Sequence, residues 1–157
     1  SLSGMGLPFA LTLLRPELDQ WAPGEHNGTF RGNNHAFVTA AAALRHFWST
    51  GDFLRDVERR GALLAKRLGR IAAEHGFEVR GRGMMRGINV GSGELAASVT
   101  AACFDAGLII ETSGPHDEVI KVLAPLVIDD AVLGAGLDIL ETSIREVMAT
   151  DYAVAAE

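Results

Sequence analysis

Phe77-Glu78-Val79-Arg80-Gly81-Arg82-Gly83-Met84-Met85-Arg86-Gly87-Ile88-Asn89-Val90 is the stretch on which the fold turns. Residues 77–80 and 84–90 read as two short strands, joined at Gly81-Arg82-Gly83. Before them, residues 51–75 form the clearest helix in the chain. Phe53, Val57, Leu64, Leu68 and Ile71 fall on one stripe at helical spacing, and Arg55, Arg59, Lys66 and Arg70 take the remaining face. Gly76 stands where a helix ends in a left-handed residue. After them, residues 94–106 read as a helix stopped by Gly107, Leu108-Ile109-Ile110 as a short buried strand, and residues 119–123 as another strand. Asp129 then caps a final helix reaching about Met148, with Leu133, Leu137, Leu140, Ile144 and Val147 inward. From residue 50 the order is helix, strand, strand, helix, strand, strand, helix. That order predicts an α+β layer, a small sheet with helices packed on it.

Upstream, residues 9–14 are apolar apart from Thr12, which suits a buried strand ended by Arg15-Pro16. Residues 17–33 are rich in Gly, Asn, Pro and acidic side chains and read as a long loop, a kind of segment that usually carries function. Asn34 is read as the N-cap of a helix to Trp48. Ala36, Ala40 and Ala43 allow that helix a close approach to a neighbour, while Phe37, Leu44, Phe47 and Trp48 supply bulk.

At 157 residues and 48% apolar, the chain has the material for one ordinary core. A net charge of −6 without long runs of one sign argues against a nucleic-acid surface. The lone Cys103 excludes a disulfide framework and suits a reducing cytoplasm. No signal peptide and no membrane-length apolar run is present. The chain opens on Ser1-Leu2-Ser3-Gly4-Met5-Gly6 rather than an initiator methionine, and reads as a fragment.

The densest chemical candidate is Gly24-Glu25-His26-Asn27-Gly28-Thr29-Phe30-Arg31-Gly32-Asn33-Asn34. Its glycines let backbone amides turn toward an anion, Thr29 adds a hydroxyl, and a helix begins directly after. The same residues also suit a surface loop of Asn and Gly turns, and the pattern alone leaves both readings open. His26 lacks partners for a catalytic triad, and His35, His46, His75 and His116 show no metal-ligand spacing; no metal site is expected. Gly81 to Gly87 reads as a tight hairpin with solvated arginines, against an anion site built on Arg82 or Arg86. Cys103 reads as a small core residue. Lys121 alternates with Ile120 and Val122, which fits either simple exposure on a sheet face or a partner for a substrate carboxylate.

Residues 25–33, Glu-His-Asn-Gly-Thr-Phe-Arg-Gly-Asn, resemble a segment of the class III aminotransferases. The opening residues 1–8, Leu13-Leu14-Arg15-Pro16-Glu17-Leu18, Ile109-Ile110-Glu111-Thr112-Ser113-Gly114 through Lys121, and Gly136-Leu137-Asp138-Ile139-Leu140-Glu141 are similar, in the same order, to the branch that transfers amino groups between diaminobutyrate and 2-oxoglutarate in ectoine biosynthesis. Arg31 stands where most of the family has Gly, and Asn34-His35 replaces a Pro region.

The resemblance implies the α/β fold of pyridoxal-phosphate (PLP) dependent transferases, fold type I. It assigns residues 1–48 to the tail of the PLP-binding large domain with its connecting helix, and residues 49–157 to the α+β small domain. It implies that Thr29, with Gly28 beside it, binds the PLP phosphate across a homodimer. Lys121 falls where many members place a carboxylate-binding Arg, and offers a point charge rather than a bidentate fork. The family's Schiff-base lysine lies immediately before the Ser-Leu-Ser-Gly stretch and would precede Ser1. No catalytic residue is therefore expected within the chain, and the chain alone is expected to be inactive and self-associating. The implied reaction is transfer of an amino group from glutamate to aspartate 4-semialdehyde, giving 2,4-diaminobutyrate, in the cytoplasm. The alternatives are another class III enzyme of ornithine, acetylornithine or 4-aminobutyrate type, and a non-catalytic module.

Overall fold

The computed structural model describes residues 6–28 and 32–154, with the side chains of 151–154 outside the description. The chain falls into two compact units, Ser1–Leu54 and Arg55–Glu157.

In the first unit, helix α1 spans Asn34–Trp48. Its N-cap is Asn33, not Asn34. Asn33 is extended (φ −67°, ψ 100°), and its side-chain oxygen accepts from the Ala36 amide at 3.2 Å. Asn34 already has helical geometry and so becomes the first residue of the helix. Ala36 and Ala40 are buried, as their small size suggests. Phe47 and Trp48 pack their rings on Phe53, with centroids 5.0 and 4.9 Å apart, and Phe9 meets Phe37 edge-on at 5.8 Å.

The strand expected over residues 9–14 does not form. Its backbone is irregular and Leu13 is 86% exposed. An extended run becomes a strand only where a neighbour takes its amides and carbonyls, and among the described residues of this unit there is no strand to pair with. Pro16–Leu18 closes a single 3-10 turn instead.

The second unit holds the sheet and its helices. Helix α2, Asp52–His75, begins just before the unit boundary and buries Leu64, Leu68 and Ile71 on the stripe read from the sequence. Its end is closed by Gly76 (φ 72°), with the Phe77 amide donating back to the Ala72 carbonyl at 2.8 Å. Strands β1 (Glu78–Arg82) and β2 (Met85–Asn89), helix α3 (Gly93–Asp105), strands β3 (Glu111–Ser113) and β4 (Val119–Leu123), and helix α4 (Asp130–Val154) follow. The sheet order is β1-β2-β4-β3 and every pairing is antiparallel. Ile88 pairs with Val79 on one side and Ile120 on the other. These residues join Leu64, Leu68 and Ile71 of α2, Val99 and Cys103 of α3, and Leu133, Leu137, Leu140 and Ile144 of α4 in one core. The expected α+β layer is the observed one.

Two boundaries differ from expectation. The hairpin turns at Gly83-Met84, not over residues 81–83, because Arg82 still pairs with Met85. Gly83 (φ 57°) takes the first corner position, where a two-residue hairpin needs a positive φ. Arg86 is half-buried rather than solvated. Its Nε donates to the Gly83 carbonyl at 3.0 Å and its Nη1 to that of Gly81 at 3.3 Å, tying the hairpin together. Gly83 also lies against α2, since a Cβ on Gly61 would stand 3.1 Å from its backbone.

The second correction concerns Leu108-Ile109-Ile110, which is irregular, with Ile109 84% exposed. The Leu108 amide closes the end of α3 by donating to the Cys103 carbonyl at 2.8 Å, which draws the chain away from β4. The ladder starts only at Glu111, opposite Lys121.

Candidate functional site

The glycine-rich loop of the first unit carries its own local order. Ala22, Pro23, Gly24 and Glu25 form a turn in which the Glu25 amide donates to the Ala22 carbonyl at 3.1 Å. Pro23 presets the first central position, and Gly24 (φ 91°) supplies the positive φ that the second requires, the signature of a type II turn. The Glu25 side chain closes the same turn from the opposite direction, its Oε2 accepting from the Ala22 amide at 2.8 Å. On either side of the turn, the Trp21 indole and the His26 imidazole lie with centroids 4.6 Å apart and planes tilted by 30°. Asn27 and Gly28 follow directly and are exposed. Thr29 lies outside the described residues, as do Phe30 and Arg31. The Pro-Gly pair was the sequence signal for this turn, and the closure by Trp21, Glu25 and His26 was not read from it.

Lys121 lies in the second unit, on the sheet. Its Nζ is 2.7 Å from Oε2 of Glu111, its cross-strand neighbour. The hydrogen bond and charge of Lys121 hold the Glu111 carboxyl below the usual carboxylate range. The two residues are the charged members of the lining of a cavity of about 450 Å³. Apolar side chains supply nearly all the rest, among them Ile110, Leu123, Pro125, Val132 and Leu137. An amphipathic small molecule with one anionic end suits such a cavity, provided that end competes with Glu111 for the ammonium. Glu111 escaped the sequence reading because its register against Lys121 depends on where β3 begins.

The remaining candidates are structural. Cys103 is fully buried, as expected; burial pushes its thiol upward, and a hydrogen bond with Ser143 offsets part of that. Arg86 is occupied by the hairpin. The His116 amide donates to Glu118 Oε2 at 2.9 Å in the β3–β4 turn, and His75 stacks on Phe77 with ring centroids 5.6 Å apart. Among the described residues no His, Cys, Asp and Glu cluster with metal-binding geometry occurs, and no helix is long and apolar enough to cross a membrane.

Comparison with known proteins shows the family of the chain. The aminotransferase class-III family matches residues 2–144. The diaminobutyrate–2-oxoglutarate transaminase of Halomonas elongata is 58% identical over 151 residues, covering 93% of this chain and 36% of that protein. The transaminase of the same name from Virgibacillus pantothenticus is 48% identical over 151 residues, covering 94% and 36%. The chain thus spans about a third of the length of the curated relatives it matches. Among solved structures, a Bacillus anthracis aminotransferase superposes with a TM-score of 0.66 at 25% identity, over 78% of this chain and 30% of that one.

Proposed function

The chain belongs to the class-III aminotransferases, a family of PLP-dependent enzymes whose fold it shares in part, and from that premise we propose that it serves a diaminobutyrate–2-oxoglutarate transaminase. The observation that carries this reading is the 58% identity held along 151 residues with the Halomonas elongata enzyme of that name. The reaction would pass an amino group from glutamate to aspartate 4-semialdehyde, giving 2,4-diaminobutyrate for ectoine biosynthesis. Residues 1–48 are assigned to the tail of the cofactor-binding domain and residues 49–157 to the α+β small domain. Its site of action is proposed to be the cytoplasm, in keeping with its single free cysteine, and its state a homodimer, as the family resemblance implies.

The residues present suit a phosphate. An exposed Gly28 precedes Thr29 in the chain, and α1 begins shortly after, its N-terminus favouring negative charge. Gly28 and Thr29 are therefore assigned to hold the phosphate of PLP. Bound there, PLP supplies the electron sink for the amino-group transfer. Lys121 is assigned to a substrate carboxylate, which must displace Glu111 to reach it. The chain's only lysines are Lys66 and Lys121. Neither is assigned to carry the cofactor, because Lys66 is an exposed residue of α2 and Lys121 is paired with Glu111.

The test is a comparison of kcat/KM for 2,4-diaminobutyrate, ornithine, acetylornithine and 4-aminobutyrate, each with 2-oxoglutarate, on the complete protein that carries this chain. Diaminobutyrate is expected to lead ornithine by about tenfold or more, the scale of one methylene of chain length, and to lead acetylornithine and 4-aminobutyrate, in which one amine is acylated or absent, by more. Equal or better use of acetylornithine or 4-aminobutyrate sinks the assignment.

A further inference from the structure

We infer that Trp21, Glu25 and His26 are positioning residues, which together lock the turn that delivers Gly28 to the cofactor phosphate. The inference rests on the reading above, in which Gly28 and Thr29 hold that phosphate.

Three separate constraints act on six consecutive residues. Pro23 and Gly24 fix the turn's backbone. The Glu25 carboxylate takes the Ala22 amide, so the turn is closed by a main-chain bond in one direction and a side-chain bond in the other. The Trp21 and His26 rings then clasp the two chain ends as they leave it. Within this chain the segment takes no support from burial: Trp21 is 52% exposed, and residues 10–28 are exposed throughout. A surface loop that only links two elements gains little from such closure. A loop that must present backbone amides to an anion gains directly, because chain freedom already lost is not charged against binding. Asn27 and Gly28 follow that clasp directly in the chain.

The experiment is equilibrium dialysis of the complete apo-protein with PLP and, separately, with pyridoxal, which lacks the phosphate. Trp21→Ala, Glu25→Ala and His26→Ala are each expected to weaken PLP about tenfold, the size of one lost positioning interaction, and to leave pyridoxal unchanged. Trp21→Phe keeps a ring and Glu25→Gln keeps an acceptor oxygen, so both are expected to recover most of the loss. Thr29→Ala is measured alongside. If Thr29→Ala lowers the preference for PLP over pyridoxal and none of the three alanine variants does, the positioning role is overturned while the phosphate assignment stands. Thr29→Ala leaving that preference untouched brings down the phosphate assignment and this inference together. Equal losses for PLP and pyridoxal in the alanine variants mark a general structural effect and also overturn it.

Discussion

Among the described residues, the second unit seals a core of large apolar side chains, whereas the only apolar side chains the first buries are alanines. In Arg55–Glu157, Leu64, Leu68, Ile88, Ile120, Leu137 and Ile144 are sealed from solvent. In Ser1–Leu54, Leu11, Leu13, Leu18, Phe37 and Val38 stand exposed. Hydrophobicity alone does not separate them. The second unit has a ladder that satisfies its strands, and helices closed at their ends, so its apolar stripes meet across a frame. Among its described residues the first offers one long helix and a mostly irregular chain, which provide no second layer. A buried side chain is the property of a frame rather than of its own residue type.

The largest break in the symmetry comes from matched deletions. Leu137→Ala should cost about 3 kcal/mol, because its side chain is almost wholly buried in the core, at the wall of the cavity. Leu13→Ala, at a solvent-facing site, should stay within about 0.5 kcal/mol. Urea unfolding of the 157-residue chain measures both, and a Leu13 variant as costly as the Leu137 variant would erase the contrast.

Next in size is Gly81→Ala. Gly81 has φ 101°, and a Cβ there would collide with the Met85 carbonyl oxygen across the hairpin. A loss of about 2 kcal/mol is expected from strain at the hairpin. A neutral result in the same unfolding measurement would show that the hairpin contributes nothing to the frame.

The smallest effect is electrostatic. Asp130, at the start of α4, accepts from Arg59 and Arg60 of α2, with Nη1 of Arg59 at 2.7 Å and Nε of Arg60 at 2.9 Å. Those hydrogen bonds hold its carboxyl below the usual range. A lowered carboxyl stabilises the fold above its unfolded value of about 3.9, and that contribution is lost as the pH falls through the folded value. The gap in urea midpoint between the parent and Asp130→Asn should therefore be open at pH 6 and close toward pH 3. A gap that widens on acidification would reverse the sign.

The frame was legible where one local signal sufficed. The stripe of α2 and its Gly76 stop, the α4 stripe and the bounds of β4 are written in periodicity and punctuation. Residues 9–14 and 108–110 misled because an apolar run does not state whether a partner strand is within reach. Asn33 and Asn34 are equal as caps on paper, and only backbone geometry chose between them. At the candidate site, the alternation that exposes Lys121 was readable, but its pairing with Glu111 depended on a register set by the end of α3. Thr29 entered through family resemblance. The clasp around Pro23-Gly24 needed coordinates, because ring stacking has no period.

The contact between Gly61 and Gly83 bears on how this sequence is free to drift. A methyl at 61 asks the backbone at 83 to yield, and that backbone is a hairpin corner held from its other side by Arg86. The ordinarily helix-favouring exchange of glycine for alanine at 61 thus depends on a small shift of a residue more than twenty positions away. Any lineage that makes the exchange must ease the corner with it.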